Sequence, residues 1–191
     1  MKWIGLTPDG ERKDESLFAE VVLPHLDQAY SLARWLTGNA ADAEDVVQDA
    51  CLRALNGLPL FAGGSARAWV LTIVRNTTFT WLARNRPKAI VLTDDMEAAE
   101  RERETSGDDD EATPETALIA KAEATEIEAA IASLPPPFKE TIVLRDINGL
   151  GYREIAEVTK VPIGTVMSRL ARGRAMLIAK LGRDKRGRVA S

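Results

Sequence analysis

Apolar residues recur at helical spacing through most of this chain, and no stretch alternates the way a strand does. From Ser16, Leu17, Phe18, Val21 and Val22 lead towards Pro24, which a new helix tolerates in its first turn. Leu26, Ala29, Tyr30, Ala33, Trp35 and Leu36 carry the pattern on to Thr37-Gly38-Asn39, a predicted helix stop. The next predicted helix, AADAEDVVQDACLRALNGL, buries Val47, Cys51, Ala54, Leu55 and Leu58, with Asp42, Glu44 and Asp45 in its first turn. Asn56 to Ser65 is a loop broken by Pro59 and by Gly63-Gly64. The segment ARAWVLTIVRNTTFTWLARNRP then reads as a helix, with Trp69, Ile73 and Thr77 on one line and Val70, Val74 and Trp81 on another. At least two of Trp35, Trp69 and Trp81 are expected to be largely core.

Pro87 ends this block. Apolar periodicity returns at Thr116 with Leu118, Ile119, Ala122, Ile127, Ala130 and Ile131, and stops hard at Ser133-Leu134-Pro135-Pro136-Pro137. A further helix is predicted over Phe138 to Ile147. The stretch Gly151 to Leu177 then reads as two helices and a tight turn. The first has Tyr152, Ile155, Ala156 and Val158 on its apolar side. Lys160-Val161-Pro162-Ile163 interrupts it, and the second opens near Gly164-Thr165. In the second, Val166, Leu170, Gly173 and Leu177 make one buried stripe, while Ser168, Ala171, Arg172 and Ala175 point away.

The predicted fold is therefore all-α, as two small helical domains joined by a linker. The expected divisions are an extension at 1–15, a first domain at 16–86, a linker at 87–116, a second domain at 117–182 and a basic tail at 183–191. Charge sharpens this division. The formal net charge is only −4, but it conceals segregation. Asp94 to Glu115 is strongly acidic and is expected to stay mobile, because it has little apolar surface to bury. Arg169, Arg172, Arg174, Lys180, Arg183, Lys185, Arg186 and Arg188 make the C-terminal end basic, opposed only by Asp184.

Three surfaces carry candidate binding chemistry. A helix that shows small, hydroxyl and guanidinium groups at its outward N-terminal half can enter a DNA major groove, where Arg forms bidentate contacts to guanine. The plain alternative is a helical hairpin with a solvated basic face, and the basic cluster favours nucleic acid. Asp45, Gln48, Asp49 and Leu52 share one helix face, an apolar side chain among carboxylates that suits a basic partner helix. Its alternative is an ordinary solvated acidic face. Arg67, Arg75, Arg84 and Arg86 lie among aromatic residues, Asn76 and threonines beside a glycine loop. That combination suits single-stranded DNA, with bases stacked on rings and phosphates held by arginines. The alternative there is core tryptophans and solvated arginines.

Other chemistry lacks its parts. Cys51 is the only cysteine and His25 the only histidine, so neither an internal disulfide nor a Cys/His zinc site can form. Cys51 reads as a small core residue, and His25 as structural or exposed. No phosphate loop, metal cluster or nucleophile with a base is present, so neither an enzyme nor a cofactor is expected. The N-terminal residues carry no secretory pattern and no run is long enough to cross a bilayer, which predicts a cytoplasmic protein without membrane insertion.

Two blocks together resemble a known family. DAEDVVQDACLRAL with RAWVLTIVRNTTFTWLARNR resembles the second region of bacterial sigma-70 family sigma factors, and LPPPFKETIVLRDINGLGYREIAEVTKVPIGTVMSRLARGRAML is similar to their fourth. A chain with only a linker between the two resembles the extracytoplasmic-function (ECF) group. The resemblance covers most of residues 16–182. It implies a factor that binds core RNA polymerase, melts the −10 element and reads the −35 element. Asp42, Asp45, Gln48, Asp49 and Leu52 would dock on the clamp helices of the β′ subunit, and the fourth region on the β flap. Gly63, Gly64, Ser65 and Arg67 match a loop that captures a flipped base of the single-stranded −10 element. Arg75, Asn76 and Arg84 lie on the helix that follows it. Thr165, Met167, Ser168, Arg169 and Arg172 match the helix that reads duplex −35 DNA, with Arg174 on phosphate. Met167 stands where some relatives carry a basic residue, and FAGGSA has no charge before Arg67. The resemblance also implies an anti-sigma factor. The linker is more acidic than a tether requires, and it is expected to follow the basic template and RNA-exit path of the polymerase and to mimic nucleic acid there. The competing class is a free-standing helix-turn-helix regulator with a sensing or dimerising N-terminal domain. The melting-helix resemblance, and the absence of a logic for symmetric half-sites, argue against it.

Overall fold

The computed structural model describes residues 8–85 and 124–189, with side chains from 15 to 85 and from 124 to 182. Every regular element among them is helical. In chain order these are α1 (Pro8–Val21), α2 (Leu26–Thr37), α3 (Ala40–Gly57), α4 (Ala66–Asn85), α5 (124–132), α6 (Pro136–Ile142), α7 (Tyr152–Thr159) and α8 (Ile163–Val189). The whole of the expected linker, 87–116, lies outside the described residues, as do the expected apolar positions Leu118, Ile119 and Ala122.

The first domain packs α2, α3 and α4 against one another, with α1 alongside. Its core is Val22, Ala29, Leu32, Ala33, Leu36, Ala43, Val46, Ala50, Ala54, Leu58, Leu71 and Val74. The α2 stop falls where expected: Gly38 adopts φ 71°, and its N–H bonds to the Arg34 carbonyl. The chain restarts at once. Asn39 caps α3 by accepting the Asp42 N–H at 3.0 Å.

Several boundaries differ from the expected ones, among them the start of α6, which is at Pro136 and not Phe138. Helix α1 begins at Pro8, inside the stretch expected to be a loose extension. Helix α8 begins at Ile163, because the Pro162 carbonyl already accepts the Thr165 and Val166 N–H groups. It also continues to Val189, through the expected tail. In α3 the buried line is Ala43, Val46, Ala50 and Ala54. Val47 and Cys51 sit on its shoulder and Leu55 is exposed, so the expected stripe was rotated by about one position. Only Asp42 of the three acids lies in the first turn of α3. Trp35, Trp69 and Trp81 are all half-buried against the core, and none is fully enclosed.

The second domain is α5 to α8. Pro136 and Pro137 occupy the first turn of α6, where the missing N–H groups have no helical partner to lose. Helix α6 runs into a π-helical turn, Val143–Ile147, in which the Asn148 N–H bonds to the Val143 carbonyl. Ile155, Val158, Val166 and Leu170 bury the hairpin against Ile142, Val143, Leu144 and Leu150. Tyr152 is partly exposed instead of core; the Arg145 guanidinium lies 4.9 Å from its ring centre. The two domains touch: α4 packs on α7, and α2 on α6 and the π turn.

Candidate polymerase and nucleic-acid interfaces

The acidic face of α3 is fully presented. Glu44, Asp45, Gln48, Asp49 and Leu52 are exposed, and Leu52 keeps 58% of its surface in solvent. Its buried line is made of small residues, so α3 lies close to α2 and α4 while its longer side chains project outward. Asp49 pairs with Arg53 at 3.0 Å one turn on, both about half exposed, an arrangement that contributes little to stability. Asp42 sits beside this face, half-buried at the α3 N-terminus.

The glycine loop leads directly into α4. Gly63 and Gly64 have φ values of 90° and 94°, a conformation that side chains with a Cβ rarely adopt. This pair turns the chain so that Ser65 caps α4, its Oγ accepting the Ala68 N–H at 3.2 Å. Gly63, Gly64 and Ser65 are exposed. Behind the loop, Phe61 and Trp69 pack with ring centres 5.0 Å apart. Along α4, Thr72 and Thr78 donate to the carbonyls of Ala68 and Val74, each at 2.7 Å, so these β-branched residues bring no unsatisfied hydroxyl into the helix. Asn76 and Arg84 are exposed.

Arg67 and Arg75 are not free. Arg67 Nη2 lies 2.5 Å from Glu154 Oε2, its Nε lies 3.0 Å from Oε1, and Ser65 Oγ donates to Oε1 at 3.3 Å. Glu154 stands in the first turn of α7 and also accepts the Gly151 N–H at 2.9 Å. The Arg67 hydrogen bonds hold its carboxyl below the usual range. Arg75 Nε donates to Glu140 Oε1, and Nη2 to Oε2 at 3.3 Å, while the guanidinium also lies 4.9 Å from the Phe79 ring centre. Glu140 is only 2% exposed. Burial pushes its carboxyl upward, against the pull of Arg75 and the more distant Arg169. A third link joins Asn148 of the second domain to α2: it accepts from Ser31 Oγ at 3.0 Å and donates to the Gln28 carbonyl at 3.2 Å.

None of Glu140, Asn148 and Glu154 was singled out from sequence. Two signals were available. A glutamate three residues into a helix after a turn is placed to cap it, as Glu154 does. A carboxylate two positions before an apolar run, as Glu140 is before Ile142-Val143-Leu144, must be paired if buried.

Helix α8 keeps its expected outward side. Met167, Ser168 and Arg172 are exposed, and Thr165 and Arg169 are half-buried. Gly173 faces inward. Arg174 is tied to Asp146 of the π turn, with Nη2–Oδ1 2.5 Å and Nε–Oδ2 3.2 Å. That ion pair holds α8 to the turn before the hairpin.

Two helical domains, one with a glycine loop opening a basic and aromatic helix and one with a helix-turn-helix, define a nucleic-acid-binding protein with two separate reading surfaces. Residues 21–87 match the family description "Sigma-70 region 2", and residues 124–177 match "Sigma-70, region 4". The chain is 30% identical over 175 residues to the ECF RNA polymerase sigma factor SigW of Bacillus subtilis, covering 90% of this chain and 92% of that one. It is 31% identical over 177 residues to the ECF sigma-E factor of Escherichia coli, covering 90% of each. Against SigE of Mycolicibacterium smegmatis it is 33% identical over 159 residues, 83% of this chain, but spans only 59% of that protein. Among solved structures, CnrH in complex with the cytosolic domain of CnrY is similar, with TM-score 0.63 and 26% identity over 87% of this chain and 88% of that one. The sigma factor RpoE of Bartonella quintana, solved with the anti-sigma factor NepR, shares the fold at TM-score 0.61 and 23% identity, over 92% and 98% of the chains. The chain belongs to the sigma-70 family of RNA polymerase sigma factors, in its extracytoplasmic-function group. Its function is to bind core RNA polymerase and direct promoter-specific initiation, and it is not an enzyme. No described helix is long and apolar enough to cross a membrane.

Proposed function

We propose that the two domains divide the work of initiation as follows. Asp42, Asp45, Gln48, Asp49 and Leu52 dock on the clamp helices of the polymerase β′ subunit, and the second domain rests on the β flap. Gly63, Gly64 and Ser65 receive a base extruded from the −10 element, while Arg67, Arg75, Asn76 and Arg84 hold the melted strand. Thr165, Met167, Ser168, Arg169 and Arg172 read the −35 element in the major groove, with Arg174 beside the backbone. The observation that carries the docking assignment is Leu52: a large apolar side chain 58% exposed at the edge of an acidic face is what a partner helix with basic flanks would cover.

The test is transcription from a pooled promoter library with purified core polymerase. The wild type is expected to give discrete start sites, which also yield the −35 and −10 sequences. Asp45→Arg/Asp49→Arg is expected to lose them while remaining folded. Undiminished transcription by that variant would remove α3 from the polymerase interface.

Control by an anti-sigma factor, in the cytoplasm where polymerase works, completes the reading. It is supported by the 26% identical CnrH, whose structure holds the cytosolic domain of another protein. The expected partner forms a one-to-one complex with this chain and suppresses the same transcripts. Transcripts that persist with every stoichiometric binder recovered from the source cells would refute it.

A further inference from the structure

Along the outward side of α8, the residues assigned to the −35 element offer unlike chemistry. Ser168 is exposed, but its Oγ already donates to the Thr165 carbonyl at 3.0 Å. Arg172 is exposed and carries the fork of donors that suits guanine O6 and N7. Met167 has no donor and only a weakly accepting sulfur. It nevertheless keeps 49% of its surface in solvent, in the second turn of the helix.

The surrounding residues leave this side chain standing clear. Its neighbours on the same side are Gly164, three residues before it, and Ala171, four residues after it, and both are exposed. A Cβ built on Gly164 would meet nothing within 4 Å, so the space beside Met167 is open. The core side of this stretch is filled separately by Val166 and Leu170, which are buried. Met167 is therefore a large apolar side chain flanked by small residues, with no packing role in the DNA-free protein.

The major groove holds one apolar group that marks sequence, the C5 methyl of thymine. The other groups on its floor are donors and acceptors, and a thioether covering them would desolvate them without a matching bond. Against a thymine, Met167 buries apolar surface on both sides of the contact. Its unbranched chain and polarisable sulfur let it settle on a methyl whose position the rest of the interface fixes.

We propose that Met167 reads a thymine methyl, so that the −35 sequence this factor selects has a thymine–adenine pair at the step facing the second turn of α8. The proposal rests on the assignment of α8 to the −35 element. It separates the roles of neighbouring residues: Arg172 supplies charge and donors, and Met167 supplies an apolar test of sequence.

The test uses holoenzyme and a fluorescent duplex bearing the −35 element mapped by the transcription experiment. Each thymine of the element, on either strand, is replaced in turn by uracil. That change removes the C5 methyl and keeps the pairing and every hydrogen-bonding group. One replacement is expected to weaken wild-type binding about fourfold, as expected for one buried methyl group. Met167→Gln keeps the length of the side chain; it should bind the thymine duplex more weakly and be indifferent to uracil at that position. Met167→Leu, still apolar, should retain the sensitivity. An element without thymine, uracil duplexes that all bind like the thymine duplex, or a sensitivity that survives in Met167→Gln would each overturn the proposal. The assignment of α8 to the −35 element fails separately: Thr165→Ala/Arg172→Ala would then bind the duplex like wild type.

Discussion

A Cβ built on Gly173 would lie 3.0 Å from Ile142 Cγ1 and 3.5 Å from Phe138 Cβ, so the glycine is what lets α8 close on α6. Ile142 is 1% exposed and has little room to retreat. Gly173→Ala brings two opposed effects, a gain in helix propensity of up to about 1 kcal/mol and a crowded contact. The expected net change is small. Gly173→Val adds two more carbons against the same wall and should cost about 1–3 kcal/mol. Thermal unfolding of both variants checks this. A valine variant as stable as wild type would show that α6 and α8 are not locked at this point.

That contact illustrates what a single sequence makes legible. Val166, Leu170 and Gly173 fall on one stripe by spacing alone, and the stripe is buried. The helix ends at Gly38 and at Thr159 were likewise readable, because glycine and proline act locally. The phase of α3 was not. Its core line is mostly alanine, and in a pattern weighted by large residues Leu55 outweighs Ala43 and Ala50 although it lies outside. The α1 start was missed because Pro8 to Lys13 is polar, and polar residues in a first helical turn carry no period. The three links between the domains join residues 65 to 120 apart in sequence, a separation at which periodicity is silent. The candidate site was therefore legible as a set of residues, and its closed arrangement was not.

Leu52 offers a clean separation of docking from folding. Its exposed side chain adds little to the core, so Leu52→Ala should alter stability by no more than about 0.5 kcal/mol. The same change should weaken core polymerase affinity roughly tenfold, as expected for a large apolar residue covered on docking. Urea denaturation and a fluorescence titration with core polymerase measure the two numbers independently. Equal polymerase affinity with unchanged stability would return α3 to the status of a solvated acidic face.

His25, the lone histidine, gives the fold a mild pH dependence. Burial pushes its pKa below the ordinary 6.5, and the nearby positive charge of Arg67 pushes the same way. The unfolded chain therefore binds the proton more tightly than the folded one. Stability from this residue is full above 6.5 and falls as pH drops towards the lowered value. Glu140, whose carboxyl is raised, works in the opposite sense, and Glu154, whose carboxyl is lowered, loses its contribution only at more acid pH. The comparison that isolates His25 is thus the difference between wild type and His25→Gln. Urea midpoints should converge as pH falls from about 7.5 to about 5.5, if wild type is the more stable at the upper pH. A difference constant across that range would mean that His25 does not titrate there.

Arg172 and Arg174 lie two residues apart on α8 but differ in what they have available for DNA. Arg172 is exposed on the outward side, whereas the Arg174 guanidinium is already held by Asp146 through two hydrogen bonds. Each duplex phosphate neutralised by a protein cation contributes about 0.9 to the slope of log affinity against log salt. In holoenzyme bound to a duplex bearing the −35 element, Arg172→Gln should lower that slope by about 0.9 if the residue holds a phosphate. If it reads a base edge, it should instead relax sequence preference, with a cost of about 1–3 kcal/mol at one position. Arg174→Gln should change the slope by clearly less, because the cation it removes is partly neutralised by its own partner. Asp146→Asn is the informative complement. It releases Arg174 towards the backbone, so the slope should steepen while the turn that anchors α8 loosens. Affinity measured by fluorescence anisotropy across a potassium chloride series reads all three. Equal slope losses for Arg172→Gln and Arg174→Gln, with no effect of Asp146→Asn, would mean that Arg174 leaves Asp146 on binding and that the ion pair belongs only to the DNA-free state.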